Sequence, residues 1–496
     1  MILIKGIKIV DGTGKPSYKA DILIKGDRIS AIGNFANKKA DIIIDGLGLT
    51  ATPGFIDVNT DSDHHLSLFS NPLQQDFLLQ GVTSIVGGLC GSSLAPLLRG
   101  SLKSIRKWAD INSINVNWRS SSEFKKNVRR LGMGVNFVSL VGHSTVRRDL
   151  IGEQIRDLSE SELDIFKRIL SGAMREGARG LSTGLEFTHS KQVPYLEIKK
   201  LVSVVAKYKG IYATHLRDEK ENIIGSVKET LGIAEATGAT TIINHLRPLI
   251  GFENNFQEAL KIIDNNLDKS NIYFDVNPFN VSIRPIYTFL PEWAKQNNLE
   301  KMHDLISEPF YRDDILFFIS SNPLVSLERL IIVDAFENYS VIGKSLKDFS
   351  FNRGLPVARG LLELMKITKM RASFLTENIN EDIINELLFH NRALIGSNSA
   401  SFSESSNIVK TDRSTKTFFK FLELSSAKNV SLEQSIKKIT SVPAKIFGLS
   451  KRGVLTEGWF ADIAIFKEDQ LINLFINGQL AVEDKKINNI LAGLPI

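Results

Sequence analysis

Between Ile211 and Arg247 apolar and polar positions alternate in blocks. A short apolar run (Ile211, Tyr212, Ala213, Thr214) ends in His215. Ile224, Val227, Leu231 and Ala234 then recur at helical spacing, and a second run (Thr240, Thr241, Ile242, Ile243, Asn244) ends in His245. Gly238 stands where a helix C-terminal glycine belongs. The pattern predicts a strand-helix-strand unit, and parallel strands joined in this way finish at the same edge of their sheet. His215 and His245 are therefore expected close together at the carboxyl edge, where barrels and open α/β sheets carry their chemistry. One histidine in such a place reads as well as a packing residue. Two at equivalent strand ends, the first running on into Arg217, Asp218 and Glu219, predict a metal site.

The same periodicity extends along the chain. Residues 1–52 alternate short apolar runs with turns (Ile2–Ile4, Lys8–Val10, Asp21–Ile24, Ile29–Ile32, Ile42–Ile44) and predict a small antiparallel β unit. From Pro53 to about residue 445, strands are separated by helical lengths, the mark of a parallel α/β architecture. Eight strands are expected: Phe55–Val58, Thr83–Val86, Phe137–Val141, Gly180–Thr183, Ile211–Thr214, Thr240–Asn244, Ile272–Val276 and Leu394–Ser397. More than a hundred residues separate the last two, which requires an insertion, placed at about 297–390. Residues 446–496 return to β character in Ala461–Phe466 and Leu474–Gly478. The reading is a TIM-like (β/α)8 barrel, with a small β-sandwich formed by the N- and C-terminal segments.

Composition narrows the function classes. At 496 residues the chain has room for a barrel of about 250 residues with additions. Its 43% hydrophobic and 23% charged residues are those of an ordinary globular protein. A net charge of +6 without a basic tract argues against nucleic acid as a partner, and Lys125, Lys126, Arg129 and Arg130 read as a solvated helix face. No run approaches the roughly 18 apolar residues of a membrane span, and no leader precedes the first strand, so a cytoplasmic protein is expected. The single cysteine, Cys90, is a buried apolar side chain, a reactive thiol or a metal ligand.

Polar groups collect after the predicted strands. The first is followed by Asn59, Asp61, Asp63, His64 and His65, and the second by Gly87-Gly88-Leu89-Cys90-Gly91. Gly142-His143-Ser144 follows the third, Gly184-Leu185-Glu186 the fourth, Asn277-Pro278 the seventh and Asn398 the eighth. Cys90, His215 and His245 together form a donor set suited to zinc with one position left open. No glycine-rich phosphate loop follows the seventh or eighth strand, which counts against a metal-free sugar or phosphate enzyme.

Several motifs in order resemble the N-acyl-D-amino-acid deacylase (D-aminoacylase) branch of the amidohydrolase superfamily: Pro53-Gly54-Phe55-Ile56-Asp57, Cys90-Gly91-Ser92-Ser93, Gly142-His143-Ser144, Ser182-Thr183-Gly184-Leu185-Glu186, Thr214-His215-Leu216-Arg217-Asp218-Glu219, His245-Leu246 and Gly458-Trp459-Phe460-Ala461-Asp462. The resemblance thins over 98–130 and in the insertion. It implies a TIM-like barrel with a terminal β-sandwich and zinc-assisted hydrolysis of a non-peptide amide on a small, carboxylate-bearing molecule. It also implies a tight metal site at Cys90, His215 and His245. The family's second metal site uses a His-x-His pair after the first strand and an aspartate after the eighth. Those positions here are Asn59, Asp61 and Asn398, so one tightly held zinc ion is expected.

The family's aspartate is also its base, and asparagine has no basic carboxylate. Asp61 is the expected replacement, with Asp63 and Glu186 behind it and Asn398 retained in the catalytic set. The resemblance places substrate contacts at Arg247, at Phe187 and Asn277 where the family has tyrosines, and at Glu186 and Ser282. The expected partner is a small molecule, with a homo-oligomer left open. The competing reading is a silent relative that keeps the fold and one metal for binding or structure.

Overall fold

The computed structural model describes residues 1–35, 37–187, 189–295, 298–321 and 326–496. The expected parallel strands follow one another in chain order. They are Phe55–Asp57, Val82–Gly87, Asn136–Ser139 continued by Val141–Gly142, Gly180–Gly184, Ile211–His215, Thr240–Ile243, Ile272–Val276 and Ala393–Ile395. Neighbours pair in parallel, in a three-stranded and a six-stranded sheet that divide at Leu140, between the two pieces of the third strand. Val82–Gly87, Gly180–Gly184 and Ile211–His215 are buried at every position, which is why they read as unbroken runs and not as alternating ones. Just past the first and eighth strands Thr60 and Ser399 bridge in parallel, and Asn398 N–H donates to Asn59 O at 2.7 Å. This is a TIM-barrel-like α/β domain.

The helix between the two histidine strands, Ile223–Thr237, buries Val227, Leu231 and Ala234 and stops at Gly238, whose φ of 69° is left-handed. Pairing of Thr214 with Ile243 sets the two strands in the register that brings their ends together. Glu160–Arg175 begins at a capping box, Ser159 Oγ accepting from Glu162 N–H and the Glu162 carboxylate from Ser159 N–H.

The two ends of the chain meet in one nine-stranded sheet, through antiparallel pairing of Ile463–Lys467 with Thr50–Pro53. The expectation of a purely antiparallel N-terminal unit is corrected, because Ile42–Asp45 and Thr50–Pro53 both run parallel to Ile2–Ile9. The long connections between them allow the return crossing that parallel pairing needs. A buried polar tie joins this sheet to the barrel-like domain: Asn477 Nδ2 donates to Asn136 Oδ1 at 2.9 Å, and Arg452 pairs with Asp462.

Residue 297, where the insertion is expected to start, lies outside the described residues. The added antiparallel sheet (Val281–Pro285, Ala372–Glu377, Ile331–Ala335) already begins at Val281 and ends at Glu377. With helices including Leu299–Ser307 and Val357–Ile367 it has a hydrophobic core of its own, containing Ile286, Phe289, Met302, Leu361 and Phe374. The helix Glu381–Leu387, within the expected 297–390 range, leads directly into the eighth strand. Among the described residues no helix is long and apolar enough to cross a membrane.

Candidate metal centre

Cys90, His215 and His245 converge. Cys90 Sγ lies 3.4 Å from His245 Nε2 and 4.0 Å from His215 Nδ1, and the two ring nitrogens are 2.9 Å apart. The other nitrogen of each ring faces a carboxylate: Glu186 Oε2 is 2.6 Å from His215 Nε2, and Glu219 Oε1 is 3.3 Å from His245 Nδ1. A carboxylate on the outer nitrogen fixes the tautomer and leaves the inner nitrogen a bare lone pair, the arrangement found around metal-binding histidines. Burial, helped by the nearby His215, lowers His245 to about 4, so the ring is neutral. Burial pushes the Cys90 thiol up. Three soft or borderline donors thus face one point, a set that fits zinc and leaves one position open.

The backbone is shaped for this. Cys90 and His245 hold left-handed φ values of 49° and 36°, unusual for residues with a side chain and a local cost that surrounding structure must sustain. Gly91 follows with φ 78°, and a Cβ there would lie 2.8 Å from Gly184 N. The chain can turn immediately after the thiol because nothing projects from that position.

The rim after the first and eighth strands is organised around Asp61. Its Oδ1 is 3.1 Å from His64 Nδ1, and His64 Nε2 is 3.2 Å from Ser92 O. In the amide orientation that satisfies both of its ends, Asn398 donates from Nδ2 to Asp61 Oδ2 (3.2 Å) and accepts at Oδ1 from Arg413 Nη2 (3.0 Å). Arg413, only 2% exposed, also donates to the carbonyls of Ser397 and Asn398. Burial works against the charge on Asp61, but His64, His65 and Arg413 together outweigh it and hold the carboxyl at about 2. Burial likewise opposes the charge on His64, and Asp63 and Asp61 overcome it, raising the imidazolium to about 9. Asp61, Asn398 and Arg413 line the same cavity as Cys90, His215 and His245, a space of about 150 Å³ partly walled by Ile283 and Arg284 of the insertion.

The amidohydrolase family model matches residues 369–487. Two proteins of Alcaligenes xylosoxydans xylosoxydans are similar over 94% of this chain: a D-aminoacylase, 26% identical across 87% of its own length, and an N-acyl-D-aspartate deacylase, 27% identical across 85%. Among solved structures, N-acyl-D-glutamate deacylase from Bordetella bronchiseptica, complexed with zinc and a phosphonate inhibitor, superposes with a TM-score of 0.82 at 22% identity. That match covers 100% of this chain and 98% of the other. A D-aminoacylase structure gives 0.80 at 24% identity, covering 100% and 99%. The chain is similar to the D-aminoacylases over nearly its whole length.

Beside the D-aminoacylase pattern, the expected site residues divide. Cys90, His215, His245, Glu186, Phe187, Arg247, Asp61 and Asn398 all line the one cavity. Phe187 packs against the His215 ring with centroids 5.0 Å apart. Arg247 pairs with Glu219 and keeps a buried Nε without a partner among the described residues. Asn277 and Ser282 are not on the cavity wall: Asn277 Oδ1 accepts from Phe279 N–H in its own loop, and Ser282 Oγ donates to Asn378, which does line it. Asp63 is held elsewhere, accepting from Gly88 N–H at 2.6 Å. The groups at the positions of the family's second metal site are engaged with other partners. Asn59 turns its amide onto both oxygens of Asp275, at 3.0 and 3.1 Å, the Asn398 amide bridges Asp61 and Arg413, and both nitrogens of His64 are engaged. Sequence reasoning missed Arg413 and His64 as partners of Asp61, and only the position of His64 three residues on from Asp61 offered a signal.

Glu219→Gln tests the orienting carboxylates. Competition with a chromophoric chelator should show metal affinity reduced by about 10- to 100-fold. An unchanged affinity would mean that the His245 ring is held without Glu219.

Proposed function

We propose that this chain is a mononuclear zinc amidohydrolase that cleaves the amide of a small N-acyl-D-amino acid. The carrying observation is the convergence of Cys90 Sγ, His215 Nδ1 and His245 Nε2, with Glu186 and Glu219 on the outer ring nitrogens. Names borne by relatives similar over nearly the whole chain, a D-aminoacylase and an N-acyl-D-aspartate deacylase, support the amide and its stereochemistry. Zinc in this cradle supplies a Lewis acid for the carbonyl and makes water a stronger acid.

The chain's own groups do the rest. Asp61, held ionised, accepts the proton of the attacking water. His64 and Asn398 fix the direction of that carboxylate. The proton then passes to the amide nitrogen as the carbon-nitrogen bond breaks, releasing a carboxylic acid and an amine. Arg247 on the cavity wall supplies the cation for the substrate carboxylate, Phe187 forms an apolar wall against the His215 ring, and Ile283 and Arg284 of the insertion narrow the access of water.

Metal analysis of the purified protein, paired with an amine-release screen of N-acyl-D- and L-amino acids with and without chelator, tests this reading. The expected result is about one zinc per chain and chelator-sensitive release from D-substrates. A protein that binds zinc but releases no amine from any compound would be the silent relative, and two tightly held ions would overturn the mononuclear site.

A further inference from the structure

Another cavity opens at the other end of the strands that carry the metal-facing histidines. It includes Ile211 and Thr240, the first residues of those two strands, and Ile211 stands four residues, about 13 Å of strand, before His215. Its volume of about 550 Å³ is that of a small-molecule site. Arg179, Lys209 and Lys445 line it, with Tyr208, Tyr273 and Phe447 as an aromatic wall, and among the described residues no carboxylate does. The backbone of Arg179 is fixed, its N–H donating to Ser139 O and its carbonyl accepting from Ile211 N–H, both at 2.9 Å. Its side chain is not. Nε is buried without a partner, and the guanidinium makes no ion pair among the described residues. A Cβ on Gly448 would lie 3.8 Å from Nη1, so the group extends toward the turn that closes the cavity after Lys445. Burial holds this guanidinium below its ordinary value, and no neighbouring acid offsets the effect. Behind it Lys125 Nζ donates to Gly177 O, on the cavity wall, at 2.9 Å. Burial, then Arg179 and Arg129, lower Lys125 to about 8, although Glu176 pulls the other way. Desolvation of a cation without an acceptor is a cost that an arriving anion offsets.

We propose that this cavity binds a small phosphate ester, its phosphate held by Arg179 with Lys209 and Lys445 and its organic part lying against the aromatic wall. The three cations come from three separate segments: Arg179 precedes the fourth strand, Lys209 the fifth, and Lys445 belongs to the helix Ser441–Ile446. A carboxylate would leave most of that charge unmatched, whereas a phosphate carries nearly two charges and offers three acceptor oxygens. The guanidinium fork of Arg179 fits two of those oxygens at once. The site shares no lining residue with the metal cavity, so it stands or falls independently of amide hydrolysis.

Titration calorimetry of the full chain as purified, at physiological salt, compares AMP with adenosine and glycerol 3-phosphate with glycerol. At least one of the two esters should bind with a Kd of about 1 mM or below, and about 10-fold or more tightly than its phosphate-free counterpart. Arg179→Gln should weaken that ester by about 10-fold or more, the loss expected when a charge-assisted pair is removed. The Arg179 guanidinium has no partner to lose among the described residues, so circular dichroism and metal content should not change in this variant. Should Arg179→Gln fail to fold, the double variant K209Q/K445Q, at two exposed positions, decides by the same loss. Esters that bind no better than adenosine and glycerol, or not at all at millimolar concentration, would overturn the proposal. So would an affinity unmoved by the deciding variant, which would place the phosphate elsewhere, as on the metal.

Discussion

Cys90→Ala should strip the metal from the protein and lower amide hydrolysis by about 10³-fold or more, the loss expected when the ion that polarises the carbonyl and acidifies water is gone. Among the described residues the thiol and two imidazole nitrogens face the common point, and removing the thiol leaves two rings 2.9 Å apart without it. The effect has a pH signature. A thiol pushed up by burial must lose its proton to bind, so affinity should rise with pH until the thiol's own pKa is passed. In the wild type Cys90 should be protected from thiol reagents until a chelator is added, because a coordinating thiolate is not free to react. The checks are metal content after dialysis and the labelling rate of the chain's single cysteine. A Cys90→Ala protein that retains its full metal content, or rapid labelling of the loaded wild type, would remove Cys90 from the ligand set.

Asp61→Asn should cost about 10²- to 10⁴-fold in turnover while the metal is retained, since a positioned base typically contributes that much. Asp61 shares the cavity with the cradle and supplies none of its three converging donors. Its carboxyl lies at about 2, below an ordinary aspartate, because the surrounding cations outweigh burial. It therefore stays ionised as pH falls through 4, and any acid limb above that pH belongs to another group. The sign for stability is the same. A depressed aspartate stabilises the fold above its unfolded value near 4, and that contribution is lost as pH falls toward 2. Asn398→Asp by itself would set a second carboxylate within hydrogen-bond distance of Asp61, where the two would share a proton. The sharper test is the exchange D61N/N398D, which moves the base to the eighth strand beside Arg413 and should recover a large part of the activity lost in Asp61→Asn. Stopped turnover in the exchange variant with metal still bound would show that position, and not charge, is what Asp61 supplies.

How much of this was legible in the chain can be argued from particular residues. Buried parallel strands are unbroken apolar runs, so Ile211–His215 and Thr240–Ile243 declared themselves, and Gly238 marked the helix end between them through its left-handed backbone. Once two such strands pair in register, the residues at their ends must be neighbours. That is why His215 and His245 could be assigned together. The pairing of His215 with His245 uses only local periodicity and the direction of parallel strands, whereas Cys90 was added for its donor chemistry and Asp61 was set beside Asn398 by the family resemblance.

The tertiary structure alone decided what those side chains meet. Glu186 and Glu219 reach the outer nitrogens of the histidines from different loops. Arg413 arrives at Asp61 and Asn398 from the helix Asp412–Ala427, after the eighth strand. Asn277 is spent on its own loop and Ser282 on Asn378, although both stand near the right strand in the sequence. The strand Val281–Pro285 was not read from the sequence because a short strand whose partner, Ala372–Glu377, lies some ninety residues later leaves no periodic trace of its own. In each case the backbone position follows from hydrophobic periodicity. The direction of a polar side chain in a loop is set by whichever long-range partner can satisfy it on burial, and one-dimensional spacing carries no record of that partner.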